Sequence, residues 1–175
     1  MVDELPTEIT VSYPTANTLL VPYNVDLVSN GLDTFHRKTK DQKILSLIDR
    51  DVAKTLQTPG HPTQFKSKEA IIITFNNVHK YGKPNIRFKY QVIIVTDYTN
   101  TFTILNYERL DEASSTVVGF TDPLSCKHTA KFFGDRNNKA LLTTSNVGEA
   151  GKHVFLLTVP LHCQNSDGES LFTFL

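Results

Sequence analysis

Between Ala70 and Leu110 three runs rich in β-branched and aromatic residues follow one another: Ala70 to Phe75, Ile86 to Thr96 and Thr101 to Tyr107. Such side chains suit a pleated, buried surface. Asp97-Tyr98-Thr99-Asn100 separates the second and third runs, and Asp97 and Asn100 tolerate turn geometry, so these two runs pair as an antiparallel hairpin. Side chains alternate along a strand, which sends Phe102, Ile104 and Asn106 to one side and Thr101, Thr103, Leu105 and Tyr107 to the other. Neither set is wholly polar, and that predicts a sheet covered on both faces. Asn76 to Pro84, punctuated by Gly82 and Pro84, reads as a loop between the first two runs.

One helix is expected, over about residues 41–56, because Ile44, Leu45, Leu47, Ile48, Val52, Ala53 and Leu56 recur at three- and four-residue spacing. Thr39-Lys-Asp-Gln42 has the pattern of a capping box, and Thr58-Pro59-Gly60 stops the helix. Upstream, Thr18 to Tyr23 and Thr34 to Arg37 flank an Asn30-Gly31 turn and predict an N-terminal hairpin. Downstream, Thr116 to Phe120 and Lys139 to Leu142 are weaker strands and His153 to Leu161 is a strong last one. The fold class is α+β: a predominantly antiparallel β-sheet with one amphipathic helix packed on it. At 175 residues the chain has the size of one domain, with 1–17 read as an N-terminal extension, 18–160 as the domain and 161–175 as a turn-rich tail.

Eighteen basic residues balance eighteen acidic ones, so no long-range field draws nucleic acid or an anionic membrane. No apolar run approaches the roughly 18 residues of a membrane-spanning helix, so no membrane insertion is expected within this chain. The start, Met1-Val-Asp-Glu-Leu-Pro-Thr-Glu, is acidic and lacks the pattern of a secretory signal, which leaves localisation unread there. Cys126 and Cys163 are too far apart for a C-x-x-C metal pattern. They are either two unpaired thiols or a disulfide, which in the chain-entropy model contributes about 3 to 4 kcal/mol and needs an oxidising compartment. The chain has no Asn-X-Ser/Thr glycosylation sequon.

Nothing in the sequence selects an enzyme: there is no Gly-X-Ser-X-Gly elbow, Walker loop, dinucleotide-binding glycine pattern or His-Glu-X-X-His pair. His162-Cys163 invites a thiol-nucleophile reading, weakened because adjacent strand residues point to opposite faces, and Cys126-Lys-His128 invites a metal one; surface polar residues or a disulfide are the simpler account of both. Asp26, Asp33, Asp41 and Asp97 are oxygen ligands that calcium accepts, yet none lies in an alternating Asp-X-Asp-X-Asp-Gly loop. Turn-forming aspartates fit them better, and no cofactor is expected. Tyr81, Tyr98 and Tyr107, with Tyr90, gather around the central hairpin. Tyrosine joins contact area to a polar tip, which makes Tyr81, Tyr98 and Tyr107 a candidate binding face, against the alternative of ordinary half-buried sheet residues.

Taken together, Ile73-Thr-Phe-Asn-Asn-Val78, Tyr90-Gln91-Val-Ile-Ile-Val-Thr-Asp97 and Phe102-Thr-Ile-Leu-Asn-Tyr107 resemble the extracellular NIDO domain of nidogen, alpha-tectorin and mucin-4-like proteins. Pro22-Tyr23-Asn-Val-Asp26, Phe35-His-Arg37 and the closing Ser145-Asn146-Val147-Gly148-Glu-Ala-Gly151-Lys-His-Val154-Phe155 are similar to further motifs of that family, in the right order. The resemblance covers roughly residues 20 to 158 and is that of a divergent member. Phe75, Asn24, Glu112 and His153 stand where the family has tryptophan, Tyr98 stands where it has a turn glycine, and the segment 132–144 is short.

The resemblance implies a non-enzymatic, secreted or cell-surface module for cell-matrix adhesion or matrix protein interaction, with extracellular matrix or cell-surface proteins as partners. Two rivals stand beside it. A self-assembling structural matrix protein would join copies through an unpaired sheet edge or the apolar end Leu171 to Leu175. A glycan-binding, lectin-like domain would use Tyr81, Tyr98 and nearby asparagines. Asn76, Asn77, Gln91 and Asp97 recur at family positions and are assigned to loop and sheet geometry.

Overall fold

The computed structural model describes residues 3–5, 9–13, 16–23, 27–29, 32–112, 118–121 and 138–158. In chain order the elements are β1 (Asp3–Leu5), β2 (Ile9–Tyr13), β3 (Ala16–Val21), β4 (Leu27–Ser29), β5 (Thr34–Thr39), α1 (Gln42–Ala53), β6 (Glu69–Lys80), β7 (Lys83–Thr96), β8 (Thr101–Leu110), β9 (Gly119–Thr121), a 3-10 helix (Asn138–Leu142) and β10 (Lys152–Leu156). A seven-stranded antiparallel sheet runs β1-β4-β6-β7-β8-β10, with β5 also paired to β6; β2, β3 and β9 form a second, three-stranded sheet.

The central hairpin forms as the sequence predicts, with Thr96 opposite Thr101 at its closed end and Gln91 opposite Asn106 in its middle. The expected loop at 76–84 does not form. Instead β6 runs on to Lys80, and Tyr81-Gly82 alone turns the chain into β7. The polar pair that reads as a loop is a bulge: the register shifts between Asn76 and Val78, and Asn77 takes a φ of 66°. Asparagine tolerates that left-handed conformation, so an irregularity inside a strand carries the same residues as a loop between strands.

Both faces of the large sheet are buried along β8 and the second half of β7, and the alternation of these strands divides them. Val92, Leu105 and Tyr107 point to one side, into a cluster capped by Tyr23, Val118 and Leu141. Ile93, Val95, Phe102 and Ile104 point to the other, where Leu45, Ile48 and Val52 of α1 cover them. Each of these three helix side chains contributes up to about 1.5–3 kcal/mol by leaving water.

The helix is where it was expected, but its cap is not Thr39. Asp41 is the N-cap residue, its carboxylate accepting from the N–H of Lys43 at 2.8 Å and of Ile44 at 3.4 Å. Thr39 accepts instead from the N–H of Asp41 at 3.1 Å, and the Gln42 amide donates to the Lys40 carbonyl at 3.3 Å. A carboxylate facing the positive end of the helix dipole is the stronger acceptor. The helix closes at Ala53 rather than Leu56, and turns carry the chain on to Gly60.

Other expectations are corrected. The N-terminal hairpin is absent: β3 pairs with β2 and β9, whereas β4 and β5 both join β6. Near the N-terminus β1 pairs with β4, and β2 pairs with β3. Lys139 to Leu142 lies in a 3-10 helix, not a strand. Cys126, Cys163 and the tail 161–175 lie outside the described residues.

Candidate binding surface

The three tyrosines proposed as one face do not meet. Tyr81 and Tyr98 are 61% and 67% exposed, but one lies in the β6–β7 turn and the other in the β7–β8 turn. Fourteen residues of β7 separate those turns, and at about 3.3 Å per residue the separation is about 45 Å. Tyr107 is 6% exposed. Its hydroxyl donates to the Pro22 carbonyl at 2.6 Å, and burial, with Tyr90 and Tyr23 close by, raises its pKa well above the ordinary tyrosine value. Tyr107 is therefore a core side chain rather than part of a surface.

The described aspartates among those considered for calcium each accept a hydrogen bond from a residue nearby in the chain. Asp33 accepts from the Ser29 hydroxyl, Asp41 caps α1, and Asp97 accepts from the N–H groups of Thr99 and Asn100 at 2.8 and 2.6 Å, closing the hairpin turn. Asp26 lies outside the described residues, as do His128 and His162. Within that turn Tyr98 takes a φ of 77°, a conformation that favours glycine. This is the position at which the family motif has glycine.

Two of the residues that replace tryptophan lie in a row of buried rings. Phe75 stacks on Tyr90 at 4.5 Å between centroids, Tyr90 lies 6.0 Å from Tyr107, and Tyr107 lies 6.0 Å edge-on to His153, which stacks on Phe155 at 6.3 Å. His153 also places Nε2 3.3 Å from the Leu141 carbonyl, and burial lowers its pKa. These rings pack against one another in sequence. Glu112 does a different job: its carbonyl accepts from the Tyr23 hydroxyl at 3.1 Å and its carboxylate pairs with Lys80 at 2.5 Å.

The closing motif, Ser145 to Gly151, seals one margin of the large sheet. The strand β10 is last in the sheet order. Asn146 lies against its outer side and acts as a short substitute strand: its amide donates to the Val154 carbonyl at 2.7 Å, and its side-chain oxygen accepts from the Val154 N–H at 2.9 Å. Ser145 donates to the Lys152 carbonyl at 2.7 Å and accepts from the N–H groups of Val147 and Glu149 at 3.0 and 3.1 Å. Gly151 adopts a φ of 80° beneath the Tyr107 carbonyl. Lys152 ties the loop to the helix, reaching Asp51 at 2.9 Å and Glu149 at 2.6 Å, while Lys54 bridges the same two acids. The hydrogen bond from Lys152, backed by Lys54, lowers the Glu149 pKa to about 2. Sequence inspection finds the motif; that Ser145 and Asn146 mate with backbone across the loop is visible only in three dimensions.

The opposite margin carries two edge strands, β1 on β4 and β5 on β6. Along β5 the side chains Phe35, His36, Arg37 and Lys38 are exposed, Phe35 by 53%. Lys38 and Lys40 both reach Glu69, at 2.6 and 3.2 Å. Among the described residues β5 pairs only with β6, which leaves its outer side open.

The nidogen-like domain family matches residues 1–158 of the chain. Alpha-tectorin of Mus musculus is 29% identical over 110 residues, which is 61% of this chain and 5% of that protein. The chain thus spans a small fraction of this relative's length. No solved structure matches it.

Proposed function

Because this chain belongs to the nidogen-like domain family, we propose that it is a non-enzymatic extracellular module, associated with the matrix or the cell surface, that acts by binding another protein. The family match over residues 1–158 carries this reading. The likeness to alpha-tectorin supports it. The architecture agrees with recognition by a stiff scaffold: with both faces of the central strands buried in clusters, what the large sheet presents is its margins, its turns and the outer side of α1.

Retention on a matrix tests the proposal. The purified chain, added in increasing amounts to cell-deposited extracellular matrix stripped of cells, is expected to bind saturably, while the heat-unfolded chain does not. Linear, non-saturating retention equal to that of the unfolded chain would overturn it.

A further inference from the structure

We propose that the open side of β5 docks an extended acidic segment of a partner protein, which adds to the large sheet as one more strand. The inference rests on the reading of the chain as a protein-binding module and names where, and to what chemistry, it binds. The edges at β10 and at β5 are built in opposite ways, and the third edge strand, β1, is only three residues long. At β10 the Asn146 amide already occupies the outward N–H and C=O of Val154. At β5 nothing equivalent is present among the described residues. The strand is also regular: its register with β6 runs from Thr34 opposite Phe75 to Thr39 opposite Ala70 without a shift, and it holds no proline. A strand with one unpaired, unbroken edge is a template for strand addition.

Charge decides what is added. Arg37 and Lys38 are adjacent, so alternation places cationic side chains on both faces of the edge, with His36 on the same face as Lys38. Lys38 is engaged by Glu69, whereas Arg37 has no ion-pair partner among the described residues. A second copy of this chain pairing β5 against β5 sets these cations opposite one another, and like charges facing across a ladder are destabilising. The same cations guard the edge against self-pairing and favour a strand with carboxylates at alternate positions. Phe35, on the same face as Arg37, supplies an apolar surface beside which an aliphatic side chain packs.

The test uses a capped hexapeptide of alternating Glu and Val, its Lys–Val counterpart, and a version of the Glu–Val peptide N-methylated at alternate residues to remove edge donors. Amide hydrogen exchange in the whole chain is the readout. With saturating Glu–Val peptide, outward amides within Thr34–Thr39 are expected to slow; the Lys–Val and N-methylated peptides leave them unchanged. The double variant His36→Glu, Arg37→Glu spares the Lys38–Glu69 pair, and adding one negative charge while reversing the arginine's weakens peptide binding about tenfold. Unchanged protection in α1 and β7 shows that the variant is folded. Protection equal with either peptide charge, protection elsewhere than β5, or concentration-dependent dimerisation that protects β5 without peptide would each overturn the proposal. The matrix assay separates the two ideas. If the wild-type and double-variant chains bind matrix equally, the β5 site falls and the module reading stands. If the wild-type chain does not bind, the module reading falls and the peptide arms decide β5 by themselves.

Discussion

Gly148 and Gly151 of the closing loop share a backbone conformation, with φ of 79° and 80°, but differ in what surrounds them. A Cβ built on Gly148 meets nothing within 4 Å; one on Gly151 falls 2.4 Å from the Tyr107 carbonyl oxygen. Alanine at either position incurs the left-handed penalty of about 1–2 kcal/mol. At Gly151 the backbone must also withdraw from β8, which weakens two bonds: Tyr107 N–H to the Gly151 carbonyl at 2.7 Å, and Gly151 N–H to the Thr144 carbonyl at 3.0 Å. At about 0.5–1.5 kcal/mol each they add about 1–3 kcal/mol. Gly148→Ala is therefore expected to lose about 1–2 kcal/mol and Gly151→Ala about 2–5 kcal/mol. At about 2–4 °C per kcal/mol for a chain of this size, the two melting temperatures separate by several degrees. Urea unfolding of both variants beside the parent, at equal m-values, measures the difference directly, because the shared strain cancels. Values within about 0.5 kcal/mol of each other, less than one such hydrogen bond contributes, would refute the claim that close approach to Tyr107 is what requires glycine at 151.

Tyr98→Gly removes about 1–2 kcal/mol of left-handed strain at an exposed side chain and returns about 0.5–1 kcal/mol as added freedom of the unfolded chain, so thermal unfolding should shift upward by a few degrees. Asn146→Ala leaves the outward N–H and C=O of Val154 without their side-chain partner; a loss of about 1–3 kcal/mol is expected in denaturant unfolding, with faster hydrogen exchange at Val154. Burial lowers the pKa of His153 and of His61, so the neutral forms are the folded ones. Stability from these groups is complete above the unfolded value near 6.5 and declines as pH falls below it toward the folded values, by at most about 1.4 kcal/mol per pH unit for each histidine. His153→Phe should flatten that limb in unfolding titrations between about pH 6.5 and 5, while loss through the lowered carboxylates, Glu149 among them, begins only below the ordinary carboxylate range near 4.5.

Local pattern determined much of this protein. The period-2 alternation of Thr101 to Tyr107 foretold a sheet buried on both faces, and the three- and four-residue spacing from Ile44 placed the helix; neither depends on which distant residues supply the cover. The turn at 97–100 was legible for the same reason, since its capping bonds are made by Asp97 within three residues. What tertiary structure decided is the set of long-range choices. Thr18 to Val21 could pair with many strands, and nothing within it specifies β2 and β9 rather than the segment at Thr34. Asn76-Asn77 has the composition of a loop, and only continued pairing of Val78 with Phe88 makes it a bulge. Tyrosines that are neighbours in sequence were separated by the length of β7 or drawn into the core, because a strand spends about 3.3 Å on every residue and a hairpin turn spends almost none. Sequence thus named the family motifs, including Ser145-Asn146 and the glycines after them; folding alone made one of those motifs the seal on β10 and left β5 open.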